Sequence, residues 1–246
     1  VNNLQKGIPP IYEPGLAEEI SSSLRSGALD FSDNLHSLSN CGFIFLSYDT
    51  PVLDDDSSDT GILERAVLDL GGVMMDGGVL VVSSQSPVGF CAYLRGKLKA
   101  LNQTLELAYS PENLRLGNAI DCYLHPGRII LGVAERGTEE KCRLLFSQID
   151  AEILVMSLES AEMVKHGINA FLANSVVFAN HLADVSQTVG ADINDIVRGM
   201  KSDPRIGQKA YLSPGIGFSG GTLGRDLKVL DGVNAKSSGY AKLFGL

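Results

Sequence analysis

A change of texture near Ser157 constrains this chain more than any other feature. Before it, short apolar runs at Gly42–Tyr48, Val79–Ser83, Leu105–Tyr109, Ile129–Val133 and Ile153–Met156 stand among helical patterns at Gly61–Leu70, Val88–Leu101 and Thr138–Gln148. The runs are mostly continuous rather than alternating, as in strands buried on both faces of a parallel sheet. Strands alternating with helices predict a doubly wound α/β sheet. After the change, Met163, Val164, Ile168, Phe171, Leu172, Phe178, Leu182 and Val185 recur at helical spacing between Leu158 and Val189. Ser157 suits the N-cap of that helix, Glu159 and Glu162 its first turn, and Gly190 its stop. Such a helix is roughly 48 Å long at about 1.5 Å per residue. A rod of that length is a spine between domains or an oligomer contact. Thr138 is the predicted N-cap of the helix before it, and Asp192 caps a shorter one, Ile193–Met200. The expected division is an α/β domain over residues 1–156 and a mainly helical domain over 157–246.

Composition removes several classes of function. A formal charge of −9 and a pI near 4.9 argue against nonspecific binding to nucleic acid or to an anionic membrane surface. No uninterrupted apolar run of about 20 residues marks a membrane span, and no secretory leader is visible, so a cytoplasmic protein is expected. Cys41, Cys91, Cys122 and Cys142 are too widely spaced for a zinc pattern and read as reduced thiols. His36, His125, His166 and His181 show no metal-ligand spacing and read as surface or packing residues. No metal is expected.

Several polar positions admit more than one reading. Gly215-Ile-Gly217-Phe-Ser-Gly220 fits the G-x-G-x-x-G pattern of a pyrophosphate turn. It does not follow a clear strand, so a substrate loop and a plain connector stay open beside that reading. Lys165 and Asn169 are one helical turn apart and share a face, either as a site or as a solvated stripe. Asp226 follows Thr222 by the same interval, as a functional carboxylate or a helix-start residue. Glu112 lies just past a predicted strand, where open α/β sheets place ligands.

Longer stretches carry a resemblance. They are Tyr12-Glu13-Pro14-Gly15-Leu16, Thr50-Pro51, Ser83-Ser-Gln-Ser-Pro-Val-Gly89, Ser110-Pro-Glu-Asn-Leu-Arg-Leu-Gly117, the run from Ala161 to Val185, Asp203-Pro-Arg-Ile-Gly207 and Ser213–Asp226. Together they resemble the UDP-glucose/GDP-mannose dehydrogenase family of nucleotide-sugar 6-dehydrogenases. The resemblance implies a Rossmann-like sheet followed by an all-helical dimerisation domain similar to the C-terminal domain of 6-phosphogluconate dehydrogenase. It implies NAD as cofactor, a nucleotide-sugar substrate and a homodimer. On the same comparison, the first β-α-β unit and the family's C-terminal nucleotide-binding domain are expected to be missing from residues 1–246.

The resemblance also distributes roles. Lys165, Asn169, Thr222, Asp226 and Glu112 fall on catalytic positions. Thr50, Pro51, Ser84 and Gln85 fall near the cofactor. Arg205, Gly217, Phe218, Gly220 and Gly221 fall on substrate-binding positions. Three positions depart from the family pattern: Thr222 replaces the nucleophilic cysteine, Gln85 a threonine, and Leu116 a glutamate. A cysteine thiol, with a free pKa of about 8.5, adds readily to an aldehyde, whereas a threonine hydroxyl needs an adjacent base. The expected reaction is oxidation of a C6 hydroxyl that stops at, or is altered after, the aldehyde. A non-catalytic protein that binds a nucleotide sugar or a partner is the alternative.

Overall fold

The computed structural model describes residues 1–48, 50–51, 59–112, 114–217 and 221–234, apart from the side chains at 221, 222, 225, 233 and 234. Contacts divide the described chain into two compact units, one of Val1–Pro51 with Asp59–Glu162 and a second running from Met163.

The first unit is built on strands β1 (Phe43–Leu46), β2 (Val79–Val82), β3 (Glu106–Tyr109), β4 (Ile129–Val133) and β5 (Ile153–Met156), in the spatial order β1-β2-β3-β4-β5. β1, β2 and β3 are parallel neighbours, with Phe43 opposite Val79 and Val79 opposite Glu106. All of β2 is fully buried, which explains its unbroken Val-Leu-Val-Val text. Helix α1 (Leu16–Ser26) precedes the sheet, and helices α2 (Gly61–Gly71) and α3 (Phe90–Leu101) connect these strands. They approach closely at Gly71, where a Cβ would lie 2.7 Å from Leu101 Cδ1. On one side of the sheet, Val79, Val81, Ala108, Ile129 and Leu131 pack with Cys142 and Phe146 around helix α5 (Arg136–Leu145).

The sheet is not wholly parallel. β4 runs antiparallel to β3, with Tyr109 opposite Gly132, and β5 is again parallel to β4. The helix between β3 and β4 is α4, only Ala119–Leu124, about 9 Å of rise, and the chain re-enters the sheet in the opposite sense. Thr138 is another correction. It lies inside α5, fully buried, and does not cap it. The N-cap is Glu135, whose carboxylate pairs with Arg95 of α3 instead of closing the helix end. Helix α3 also starts later than predicted, because Gly89 at φ +88° ends the preceding turn.

Helix α6 (Leu158–Val189) has the predicted extent. Ser157 Oγ accepts from Ser160 N at 3.2 Å, so the predicted cap is formed. Gly190 stops the helix in the left-handed region at φ +71°. The second unit continues with α7 (Ile193–Ser202), capped by Asp192 Oδ1 accepting from Asn194 N at 2.7 Å, and α8 (Gly221–Asn234). Ala170 and Ala173 on α6 form its core with Leu223, Leu227 and Leu230, which recur at helical spacing on α8. All four cysteines are free thiols, Cys91 and Cys142 buried.

The first turn of α6 belongs to the first unit and lies close against β4. A Cβ at Gly132 would fall 2.8 Å from Ala161 Cβ and 3.2 Å from Leu158 Cα. Replacing Gly132→Ala is therefore expected to destabilise the fold by about 1–3 kcal/mol, as overpacking does. Denaturant unfolding of the two proteins checks this, and equal midpoints and slopes would remove the role given to Gly132.

Candidate functional site

The ends of β1, β2 and β3 are laced together by short polar side chains. Ser83 N and Ser84 N donate to Leu46 O at 2.8 and 3.2 Å, and Ser84 Oγ donates to the same carbonyl at 3.2 Å. Ser83 Oγ donates to Ser110 O at 2.6 Å, and the buried Thr50 hydroxyl donates to Gln85 O at 2.6 Å. These are carboxyl ends of parallel strands, where open α/β sheets receive ligands. Thr50 and Ser84 thus shape the loops through backbone carbonyls, while Gln85 is half-buried and Pro51 exposed beside them. Glu112 sits just beyond β3, its Oε2 accepting from Leu114 N at 2.6 Å. It helps to line a cleft of about 80 Å³ with Ser110, Tyr123, Arg128 and Phe146. Leu116 is largely exposed.

Three helix N-termini of this unit are closed by internal carboxylates. Asp59 Oδ1 accepts from Gly61 N of α2 at 3.0 Å. Glu13 accepts from Gly117 N and Ala119 N at the start of α4, each at 2.7 Å. Glu162, buried in the first turn of α6, accepts from Gly89 N at 2.6 Å, Cys91 N at 2.8 Å and Ser86 Oγ at 3.2 Å. Burial raises the Glu162 carboxyl above its usual range, against the opposing pull of those N–H donors. Burial, reinforced by Glu162, pushes the Cys91 thiol well up. An open helix N-terminus is a ready anion site, but α2, α3 and α4 do not offer one. Thr50, Pro51, Ser84 and Gln85 lie in the loops at the carboxyl ends of β1 and β2.

The second unit holds a different cluster. Asp226 on α8 is fully buried, and each of its carboxylate oxygens meets a donor from α6. Oδ1 lies 2.9 Å from His166 Nδ1, and Oδ2 accepts from Asn169 Nδ2. Lys165, half-buried, is one turn before Asn169 on α6. Thr222 is one turn before Asp226 on α8. The fold therefore joins Asn169 to Asp226, two of the sequence-predicted positions. It adds His166, read from sequence as a surface or packing residue. Its spacing of three from Asn169 was the available signal, since such residues share a helix face.

The glycine-rich segment is irregular from Tyr211 to Gly217 and precedes α8 without a strand before it. Asn180 of α6 anchors it, with Oδ1 accepting from Gly215 N at 2.8 Å, and Gly217 takes φ +92°. Gly221 opens α8, whereas Phe218 and Gly220 lie outside the described residues. Arg205 is exposed and held by Asp203, its Nε at 3.0 Å and Nη2 at 2.6 Å from the carboxylate.

A Rossmann-type sheet with polar strand ends, followed by a long helix whose His166 and Asn169 meet the buried Asp226 of α8, defines the class as an α/β protein with a helical second unit. The comparisons with known proteins sharpen this. Residues 1–150 match the NAD binding domain of the UDP-glucose/GDP-mannose dehydrogenase family, and residues 159–244 match its central domain. The chain belongs to that family. It is similar to the UDP-glucose 6-dehydrogenase of Rickettsia prowazekii (strain Madrid E), with 32% identity over 238 residues, covering 95% of this chain and 54% of that protein. It is likewise similar to UDP-glucose 6-dehydrogenase YwqF of Bacillus subtilis (strain 168), with 32% identity over 234 residues, covering 94% and 53%. The structure of a UDP-glucose dehydrogenase from the hyperthermophilic archaeon Pyrobaculum islandicum superposes with a TM-score of 0.85 at 29% identity, covering 96% of this chain and 56% of that one. The chain thus spans about half the length of the relatives it matches.

Glu162 offers a check on the polar architecture. In Glu162→Gln one amide oxygen replaces two acceptor oxygens, and the new NH2 group faces backbone donors. The expected loss is about 1–3 kcal/mol, the cost of stranding a buried polar group. A thermal unfolding midpoint unchanged from wild type would contradict it.

Proposed function

We propose that the protein carrying this chain oxidises the C6 hydroxyl of a nucleotide sugar of the UDP-glucose type with NAD as acceptor. Residues 1–156 would serve as its NAD-binding domain and 157–246 as its helical central domain. Family membership and the match to an NAD binding domain support this reading. The observation that carries it is the joining of Asn169 and Asp226 on neighbouring helices, with Lys165 and Thr222 each one turn away. NAD, when bound, accepts the hydride that leaves C6. Thr50, Pro51, Ser84 and Gln85 at the strand ends are the residues assigned to its side of the reaction, with Glu112 beyond β3.

Each remaining role follows from side-chain chemistry. The Lys165 ammonium stabilises negative charge on the C6 oxygen as its proton is lost. Asn169 orients the sugar through its amide, and Asp226 holds that amide. Arg205, Gly217, Phe218, Gly220 and Gly221 are assigned to substrate binding. Thr222 is the point of departure from the thiol chemistry of the family. Its hydroxyl forms a hemiacetal with the aldehyde only if a base takes its proton, and an ester formed from it hydrolyses less readily than a thioester. The second oxidation is slow or absent as a result.

The expected signature is about one NADH per sugar, with a free aldehyde that hydrazine reagents trap, because no thiol stands ready to capture it. Full-length protein assayed with NAD and a panel of nucleotide sugars measures this directly. Thr222→Cys is expected to raise the yield of acid. Two NADH per sugar from the unaltered enzyme, at the rate of a thiol enzyme, would show that the acid forms without the thiol. No NADH with any sugar would favour the non-catalytic binder.

We further propose a homodimer built on α6. Phe171, Phe178 and Val185 recur every seventh residue on this helix, and all three are more than half exposed. Such a stripe is costly to leave in water. Light scattering of the full-length protein at micromolar concentration should give twice the chain mass. Phe178→Lys should shift it toward the monomer.

A further inference from the structure

His166 stands out because nothing in the reaction so far uses it, although it is 1% exposed and bonded to a fully buried carboxylate. A carboxylate oxygen accepts, so the ring nitrogen facing Asp226 Oδ1 is the one that carries a proton. The same logic fixes Asn169. Its NH2 group, not its amide oxygen, faces Asp226 Oδ2. The carboxylate is planar, and its two oxygens are held by donors three residues apart on one face of α6. A turn of the carboxylate that frees Oδ1 also moves Oδ2, and the amide of Asn169 with it.

We propose that His166 is a positioning residue for the reaction. It holds the carboxylate of Asp226 in the one plane that presents Asn169 with its amide oxygen available to accept from a substrate hydroxyl. This rests on the proposed nucleotide-sugar oxidation, in which Asn169 orients the sugar. It gives Asp226 an orienting role, with both of its oxygens engaged within the cluster, and makes the imidazole part of the same device. No electrons or atoms are exchanged by His166. Its effect is on the angle at which the C6 hydroxyl is held for hydride loss, and small misplacements of reacting groups cost on the order of 100-fold in rate.

The test compares His166→Asn, His166→Gln and His166→Leu in the full-length protein, reading kcat and KM for the nucleotide sugar separately. Asparagine places a donor nitrogen near the position of Nδ1, glutamine places one near Nε2, and leucine supplies none. The expected result is that His166→Asn keeps kcat within about threefold, while His166→Gln and His166→Leu lower it by 10- to 100-fold with little change in KM. A purely structural histidine would not show rescue by asparagine over glutamine. His166→Leu with the wild-type kcat overturns the proposal, and so does an asparagine variant as impaired as the leucine one. If the leucine protein does not fold, the asparagine-to-glutamine ratio decides, and equal rates overturn the proposal. Wild-type protein that reduces no NAD with any nucleotide sugar removes the proposed function and this inference together. Wild-type activity with unaffected variants removes this inference alone.

Discussion

The first turn of α6 is held by close packing on β4 and by one buried carboxylate. Gly132 on β4 leaves room for Leu158 and Ala161 to come within contact of the strand backbone. One position further on, the buried Glu162 carboxylate gathers the N–H groups of Gly89 and Cys91 with the Ser86 hydroxyl. The turn after β2, the start of α3 and the start of α6 thereby share one polar centre. Three donors meet one carboxylate in a place that water does not reach. Such a group is stable only when every partner is present. The start of α6, the helix that bears Lys165, His166 and Asn169, is set by that centre.

Carboxylates, buried at Glu13, Glu162 and Asp226 and half-buried at Asp59, recur as the joining element of this chain, and they do two kinds of work. Glu13, Asp59 and Glu162 close helix N-termini from inside the first unit. They satisfy donors that a helix otherwise leaves open, and they keep free anions away from those ends. Asp226 lies in the second unit. It joins side-chain donors on α6.

On the proposed reading, the threonine at residue 222 bears on the later chemistry more than on the fold. In the proposed reaction, hydride loss from an alcohol needs charge stabilisation and alignment, the roles assigned to Lys165, Asn169 and Asp226. Capture of the aldehyde needs a nucleophile, and a threonine hydroxyl is a far weaker one than a thiolate. The polar framework joining Asp226 to α6 is present with a threonine at 222.

Much of this was legible in the amino-acid sequence. The strand runs, the extent of α6, the caps at Ser157 and Asp192 and the stop at Gly190 follow from local periodicity and local capping chemistry, and those act within a few residues. Family motifs placed Asn169 and Asp226 on one list of candidates. Other features needed the tertiary structure. Local pattern says that a strand is buried but not which way its neighbour runs, so the antiparallel entry of β4 was not visible. Thr138 read as a cap because threonine suits one, whereas packing inside α5 took it into the core. Glu162 meets Cys91 across 71 residues, Glu13 meets Gly117 across 104, and His166 meets Asp226 across 60. The sequence by itself determined the five strands, most of the helices (Leu16–Ser26 and α4 went unread) and which polar residues lie on their faces. Only the tertiary structure decided which carboxylate meets which donor, because that choice is made by the packing of whole elements and leaves no periodic trace in the chain.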